Sequence, residues 1–463
     1  MRDNDKIIWL KKLIIFFVRY LNIILVTVSA GFVWNNYYND YLGKPFHARG
    51  NQDWLLLFLY VVFFHLFNRL YSGYRIGSQR LTDIVYSNWL SVCISNILIF
   101  IVLVLVTDAN RGVSLIFYLN FSEMIILISW AYAANKLYFR LFPPRRVVCF
   151  YGGLFPEHVL KKIQERPEKF KLADMCLYRS SMNIDVMLDN VDGVILYNLS
   201  EGESARIMTM CLARKLRYYL VPTVGDILLK TSETTFLFDT PLYVAKNEGL
   251  RPEQIIVKRI MDIVMSLTAI LVFLPVMLVI AVLIKLEDWG PVLYKQLRCT
   301  KDDRIFTIYK FRSMIVSAEK ENGVQLSVAG DPRVTGVGAF LRRFRLDELP
   351  QLFNILSGDM SFVGPRPERP ELVAAYVKKV PEFALRTSVK SGLTGYAQVM
   401  GRYDTSPEEK LKLDLIYIQT YSVLLDIKII LMTIKIVLFN LNERRGKTAA
   451  AENVPEEAVR HFP

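Results

Sequence analysis

Between residues 294 and 403 the chain sets carboxylates and guanidinium groups at close spacing, and it places no histidine among them. The four histidines are His47, His65, His158 and His461. Any acid, base or nucleophile in that stretch must therefore come from other side chains, carboxylates foremost. Asp347-Glu348 stands directly after Arg342, Arg343 and Arg345. If a helix starts at Asp347, Pro350 is tolerated in its first turn, Asp347 caps it and Glu348 complements its dipole. The same dipole and the same arginines would keep Asp347 ionised and ready to attack an electrophile. Glu348 beside it offers hard oxygen to a divalent cation. Spacing alone leaves capping and catalysis both open.

Cations crowd the flanking segments. Lys295 and Arg298 lie in Gly290–Arg298, Lys310 and Arg312 in Ile308–Met314, and both segments alternate like short strands. Arg342, Arg343 and Arg345 can meet phosphate or form a solvated or lipid-facing surface. Arg366 is flanked by Pro365 and Pro367, so a stiff loop presents its guanidinium for bidentate phosphate contact, or simply turns. The glycine-punctuated stretch Ser391–Tyr403 carries Gln398, Arg402 and Tyr403; it either closes over a nucleotide or reverses the chain. Lys410–Ser422 has helical periodicity with Asp414 and Tyr417 about one turn apart. Asp426–Phe439 is an apolar stripe with Lys428 and Lys435, equally suited to core packing and to a membrane surface.

These residues need positioning elements, and the chain is too apolar for an ordinary soluble domain: 52% of 463 residues are hydrophobic and 22% charged. Four apolar runs, Leu13–Trp34, Trp54–Phe67, Ile84–Val106 and Leu115–Ala134, approach the roughly 20 residues that a membrane crossing needs. Arg2, Lys6, Lys11 and Lys12, then Arg69, Arg75 and Arg80, then Lys136, Arg140, Arg145 and Arg146 fall on one side. The positive-inside rule puts both ends of this four-helix bundle in the cytoplasm. The first run is long and lacks a small-residue cleavage pattern, which argues against a removable signal peptide. The reading divides the chain into a bundle (1–142), an α/β domain (143–245), a catalytic domain (246–441) and a flexible tail (442–463).

Past Pro143-Pro144, short strands at Arg146–Tyr151, Met175–Tyr178, Gly193–Leu199 and Tyr218–Val224 alternate with helix-like segments, the order of a small parallel, Rossmann-like α/β domain. Its Gly152-Gly153 turn lacks the third spaced glycine of a dinucleotide loop, so packing or partner contact is the better reading. The five cysteines are scattered, without a zinc or disulfide pattern. The net charge of +13 suits anionic lipid or phosphates; no nucleic-acid-binding module is present, and no nucleic acid is expected as a partner.

A fifth apolar run, Ile255–Leu286, carries Pro275 at its middle. Proline breaks or kinks a helix. If this run crossed the membrane, the basic residues from Lys285 to Lys310 would lie outside, against the charge rule. A reentrant hairpin broken at Pro275 keeps them inside; a kinked spanning helix is the alternative. Lys258, Arg259 and Asp262 at its start suit the interface, where they can meet lipid phosphate or one another.

The segment from about Lys258 to Asn440 resembles the catalytic domain of bacterial polyprenyl-phosphate sugar-1-phosphate transferases, the monotopic phosphoglycosyl transferases. The carriers are KRxxD at Lys258–Asp262, YKQxR at Tyr294–Arg298, YKFRSM at Tyr309–Met314, LDELPQL at Leu346–Leu352, GDMSFVGPRP at Gly358–Pro367 and GLTGYAQVMGRY at Gly392–Tyr403. The bundle and the α/β insert resemble the large subgroup that initiates exopolysaccharide and capsule repeats. The resemblance implies transfer of hexose-1-phosphate from a UDP-sugar, glucose first and galactose second, to undecaprenyl phosphate with release of UMP. It implies Asp347 as nucleophile through a covalent phosphosugar intermediate, Glu348 (with Asp347) on Mg²⁺, and Lys295, Arg298, Lys310, Arg312, Arg342 and Arg366, joined by Gln398, Arg402 and Asp414, around substrate. It is compatible with a homodimer in the bacterial cytoplasmic membrane. The competing reading is a non-catalytic membrane scaffold with a nucleotide-sensing α/β domain. Two departures stand out: Leu274 precedes Pro275 where serine is common, and Thr300 and Asp303 occupy a loop where glycines are frequent.

Overall fold

The computed structural model describes residues 3–34, 52–107, 113–153, 155–244, 249–316, 331–401 and 405–439. They fall into two compact units, one up to Pro222 and one from Thr223.

The first unit opens with helices α1 (Asp3–Val33), α2 (Gln52–Leu70), α3 (Leu81–Thr107) and α4 (Val113–Leu141). Its polarity is turned inside out. Phe17, Val28, Phe58, Leu105 and Phe121 point outward, whereas Ser87, Asn88, Ser91, Ser95 and Asn96 form a buried stripe on α3. The serine hydroxyls donate to carbonyls one turn back, Ser91 to Ser87 and Ser95 to Ser91, each at 2.7 Å. Apolar side chains outside and polar ones inside suit a lipid surround. α1, α3 and α4 are long and apolar enough to cross a membrane; α2 is apolar over the shorter stretch Trp54–Leu70.

The same unit continues into an all-parallel sheet of β1 (Arg145–Tyr151), β2 (Phe170–Leu177), β3 (Gly193–Tyr197) and β4 (Arg217–Leu220), in the order β2-β1-β3-β4. Helices α5 (Glu157–Gln164), α6 (Ile184–Met187) and α7 (Glu201–Ala213) link the strands. Val148, Phe150 and Leu196 fill one face, Val147, Cys149 and Ile195 the other, as expected of a strand pair covered on both sides. A Cβ on Gly152 would lie 2.3 Å from the Asn198 carbonyl oxygen, so this glycine answers to the close crossing of two strand ends.

The second unit begins earlier than residue 246. Helix α8 (Val224–Thr231) packs on the helix at Pro407–Gln419, some 180 residues downstream, and a hairpin of β5 (Glu233–Leu237) and β6 (Thr240–Val244) follows. Then come α9 (Pro252–Asp288), the antiparallel pair β7 (Leu293–Cys299) and β8 (Ile305–Phe311), α10 (Gly336–Arg343), a 3-10 turn at Leu346–Glu348 and α11 (Gln351–Ser357). β9 (Ser361–Val363) pairs in parallel with β10 (Gly392–Thr394), with α12 (Pro370–Lys379) and a 3-10 segment at Pro381–Ser388 between them. α13 (Tyr396–Met400), α14 (Pro407–Gln419) and α15 (Val423–Phe439) complete it.

α9 runs through Pro275 as one continuous helix of 37 residues, with no loop at the expected break. One stripe of it is buried against its own domain: Ile270 joins Phe306, Ile308 and Leu352, and Met277, Ile280 and Ile284 join Phe311 and Leu341. The residues expected at the lipid interface point inward instead. Lys258 Nζ pairs with Asp426 at 2.6 Å, and Arg259 donates to the carbonyls of Ile355 and Leu356 at 2.7 Å each, capping α11. Asp262 accepts from Ser361 Oγ at 3.0 Å and from the Phe362 amide at 2.9 Å. Burial explains the change: each has a partner inside that a lipid surface would not offer.

Candidate active site

Asp347 and Glu348 sit on the 3-10 turn between α10 and α11. The expected helix start at Asp347 is not formed: α11 begins at Gln351 behind Pro350. The chain enters the turn through Arg345 in the left-handed region, at φ 55°. Asn354 staples the following helix to β8, donating to the Thr307 carbonyl at 2.8 Å and accepting from the Tyr309 amide at 3.0 Å. That staple sets the acidic pair beside Lys310, the next residue of β8.

Glu348 is buried and answers to three cations. Arg366 Nη2 donates to its Oε1 at 2.8 Å, Lys310 Nζ lies 3.6 Å from the same oxygen and Arg345 Nη1 lies 3.9 Å from Oε2. Burial alone would raise this carboxyl; Arg366, Lys310 and Arg345 outweigh it and hold Glu348 well below the usual carboxylate range. Asp347 moves the other way. Burial and the negative charge of Glu348 push it up to about 6, against the pull of Lys310, Arg342 and Arg366. A helix dipole together with Arg342, Arg343 and Arg345 was expected to keep Asp347 ionised; no helix starts there, and Glu348 competes for the nearby cations. Two adjacent carboxylates have thus been driven apart, the pattern of a site with divided roles.

The other expected residues divide. Arg298 belongs to the site: its Nη1 donates to the Pro367 carbonyl at 3.1 Å and lies 3.8 Å from Glu368 Oε2, while Nε and Nη2 hold Gln296. Burial lowers this guanidinium to about 10, still charged at neutral pH. Lys310 is lowered by burial, with Glu348 opposing. Arg342 is an electrostatic neighbour of Asp347 and donates through Nε to Ser313 Oγ at 2.8 Å.

Lys295 does not join them. Strand alternation puts it on the opposite face of β7 from Tyr294, Gln296 and Arg298, where its ammonium lies 5.8 Å from the Tyr309 ring centre. Arg312 is buried in an ion pair with Asp288 at the end of α9. Asp414 is buried behind the site, paired with Arg386 at 2.9 Å. Gln398 lies beside Gly395 and its Oε1 is buried without a hydrogen-bond partner. Arg402 lies outside the described residues. Thr300 is explained: its hydroxyl donates to the Asp359 carbonyl at 2.9 Å and accepts from the Ser391 amide at 3.2 Å. Asp302 and Asp303 both take φ 56°, the left-handed conformation that aspartate tolerates better than most residues.

The profile of the bacterial sugar transferases matches residues 253–440, which include each of these site residues. The chain is 38% identical over 248 residues to a UDP-N-acetylgalactosamine-undecaprenyl-phosphate N-acetylgalactosaminephosphotransferase of Aeromonas hydrophila, covering 52% of this chain and 57% of that protein. It is 35% identical over 269 residues to a UDP-glucose:undecaprenyl-phosphate glucose-1-phosphate transferase of Xanthomonas campestris pv. campestris, covering 56% and 55%. An exopolysaccharide production protein of Rhizobium leguminosarum bv. phaseoli is 43% identical over 188 residues, which are 39% of this chain and 94% of the relative. The chain belongs to the bacterial sugar transferase family.

In this sugar transferase the matched stretch spans about half the length of the first two relatives. Two residues that touch the cluster were not singled out from the sequence: Glu368 and Arg386. Glu368 directly follows the Pro-Arg-Pro turn, and proximity could have found it. Arg386 has no such signal; it stands in an unremarkable Ala-Leu-Arg-Thr run and reaches the site only through the fold.

Among the described residues no three His, Cys, Asp or Glu side chains converge on one point. Asp347 and Glu348 are nevertheless a suitable donor set for Mg²⁺, which takes one or two carboxylates and draws the rest of its shell from water and substrate phosphates. The charge repulsion that raises Asp347 is what a cation there would relieve.

Proposed function

We propose that this chain transfers a sugar-1-phosphate from a UDP-sugar to undecaprenyl phosphate, starting an exopolysaccharide or capsule repeat. The observation that carries the reading is the Asp347-Glu348 turn among Lys310, Arg342 and Arg366, inside the family's own segment. Asp347 is the nucleophile. Its carboxylate oxygen bonds to the β-phosphorus while the bond from that phosphorus to the bridging oxygen breaks, and UMP leaves with that oxygen. An oxygen of undecaprenyl phosphate then attacks the same phosphorus and returns Asp347 as a free carboxylate, so no proton is consumed. Glu348, held ionised, fixes Arg366 and Lys310 where charge develops on the phosphoryl oxygens. Arg298 and Arg342 extend the positive wall. When bound, Mg²⁺ on Asp347 and Glu348 would neutralise phosphate charge.

Glucose is the first donor expected and galactose the next; the relatives named for glucose and for N-acetylgalactosamine make a panel necessary. α9 supports an active site at one face of the membrane. Lys258 and Asp262 near its start and Glu287 and Asp288 at its end all bond to the same domain. The stripe between them, Ile270, Met277, Ile280 and Ile284, packs on that domain as well. We read α9 as beginning and ending on the cytoplasmic side, held along its own domain.

The test is UMP release from purified full-length chain with Mg²⁺, undecaprenyl phosphate and UDP-glucose, UDP-galactose, UDP-N-acetylglucosamine or UDP-N-acetylgalactosamine. One or more donors should release UMP and give a lipid-linked diphosphosugar. Silence across the panel would refute the reading.

A further inference from the structure

Glu123 lies within α4, has no exposed surface and turns both carboxyl oxygens into the helical bundle. Tyr60 OH on α2 donates to Oε1 at 2.7 Å, and Asn96 Nδ2 on α3 donates to Oε2 at 2.8 Å. The same Nδ2 reaches Asn120 Oδ1 at 3.1 Å, and Asn120 spends its own amide on the Ile116 carbonyl at 2.8 Å. Three helices therefore converge on one carboxyl with neutral partners only. At this depth an ionisable group is costly unless it is neutralised or paired.

No cation among the described residues does the pairing. α2 contributes Tyr60, α3 contributes Cys93 and Asn96, and Trp34 beyond α1 packs edge-on against Tyr60 with ring centres 5.6 Å apart. Arg19, the last of the four basic residues of α1 after Lys6, Lys11 and Lys12, is level with Trp130, whose indole N–H donates to the Val18 carbonyl at 2.9 Å. Trp130 lies seven residues from Glu123, about 10 Å along α4.

A second feature is an unmet polar atom: Asn96 is the polar residue beside a small apolar cavity of about 10 Å³ that is otherwise lined by Trp34, Ile99, Phe100, Leu103, Ile116 and Leu119. Asn96 is 3% exposed, and its Oδ1 is buried without a hydrogen-bond partner among the described residues.

We propose that Glu123, Asn96 and Tyr60 form an intramembrane site for a single positive charge, a proton or a small monovalent cation such as Na⁺. With a proton, the carboxyl gains an O–H donor, and rotation of the Asn96 amide brings its idle Oδ1 round to accept it. With Na⁺, Glu123 and Asn96 Oδ1 supply the oxygens. Either occupant cancels the uncompensated charge. The site stands apart from the transferase chemistry, so its test does not depend on it.

The full-length chain in zwitterionic nanodiscs is compared with Glu123→Gln at neutral pH, in NaCl and in choline chloride. A proton occupant gives an infrared band of a protonated carboxyl that shifts on ¹³C-glutamate labelling and is missing in E123Q. A sodium occupant raises the melting temperature by at least about 2 °C in NaCl over choline, and E123Q loses that rise. If E123Q does not fold, the labelled band and the salt response of the wild type decide. An ionised carboxylate with identical melting in both salts would overturn the proposal.

Discussion

The backbone carbonyl of Arg366 accepts a hydrogen bond from Arg386 Nη2 at 3.0 Å, so the turn that presents Arg366 to Glu348 is gripped from behind by a second arginine. Arg386 is itself held by Asp414 at 2.9 Å and lies over the Phe383 ring. Both members of this rear pair are buried. Breaking one half of such a pair strands the other charge, at a cost of about 3–5 kcal/mol. Asp414→Asn should therefore lower stability by a similar amount. It should also cut kcat/KM by roughly tenfold or more, because a small misplacement of a positioning group is costly. Chemical denaturation and steady-state kinetics check both. Arg386→Lys, which keeps charge but not the fork, should lose more in kcat than in stability. Unchanged kinetics in both variants would make the pair purely structural.

Asp347 supplies a prediction with a sign. Ionised carboxylate is the attacking form, and burial with Glu348 raises its pKa to about 6. The rate should rise with pH through about 6 and level off above it. In Glu348→Gln the like charge is gone and Lys310 and Arg366 are left to Asp347 alone, so the acidic limb should move to lower pH, with kcat falling because the phosphate cations are no longer fixed. A pH profile of residual activity reads the shift; an immobile limb would assign the titration to another group.

The same pKa predicts that the site is strained. A carboxyl whose folded pKa exceeds its unfolded one binds protons more tightly when folded, so its contribution to stability falls as pH rises from about 4 to 6. At pH 7.5, Asp347→Asn should abolish turnover by about a thousandfold or more and yet raise stability by about 1–2 kcal/mol. Melting curves at pH 5 and 7.5 should show the gain shrinking at the lower pH.

Arg312 tests how far motif membership reaches. Its guanidinium is committed to Asp288, joining β8 to the end of α9. Arg312→Lys should leave KM for the UDP-sugar within about twofold and destabilise the chain by roughly 1–2 kcal/mol, as for a partly buried charge-assisted hydrogen bond. A large rise in KM would return Arg312 to the substrate site.

What could be read from sequence follows from the range of the interaction. The apolar runs, the parallel α/β order and the β7–β8 alternation are set by local periodicity, and each was legible. The acidic pair could be singled out as a candidate because its two members are adjacent in the sequence. Lys258, Asp262 and Asp414 were misplaced because their partners, Asp426, Ser361 and Arg386, are remote in sequence: 168, 99 and 28 residues away. Charged residues beside an apolar run look interfacial until a buried counter-charge is seen. Lys295 and Arg298 share a motif, but odd spacing on a strand sends them to opposite faces.

α9 offers the last test. The helix is continuous through Pro275, and by length and composition alone it could cross the membrane. Its hydrogen bonds oppose that. Near the start, Lys258 reaches Asp426 and Arg259 caps α11; at the end, Asp288 holds Arg312 and Glu287 Oε1 accepts from the Val337 amide at 3.2 Å. To cross, one of these sets would have to be given up, leaving its buried partners in the domain unpaired. A single cysteine replacing Leu286 in a cysteine-free variant should therefore be protected from an impermeant maleimide in intact cells and react fully in inside-out vesicles. Labelling from outside would place the end of α9 across the bilayer and require the domain contacts at that end to be remade.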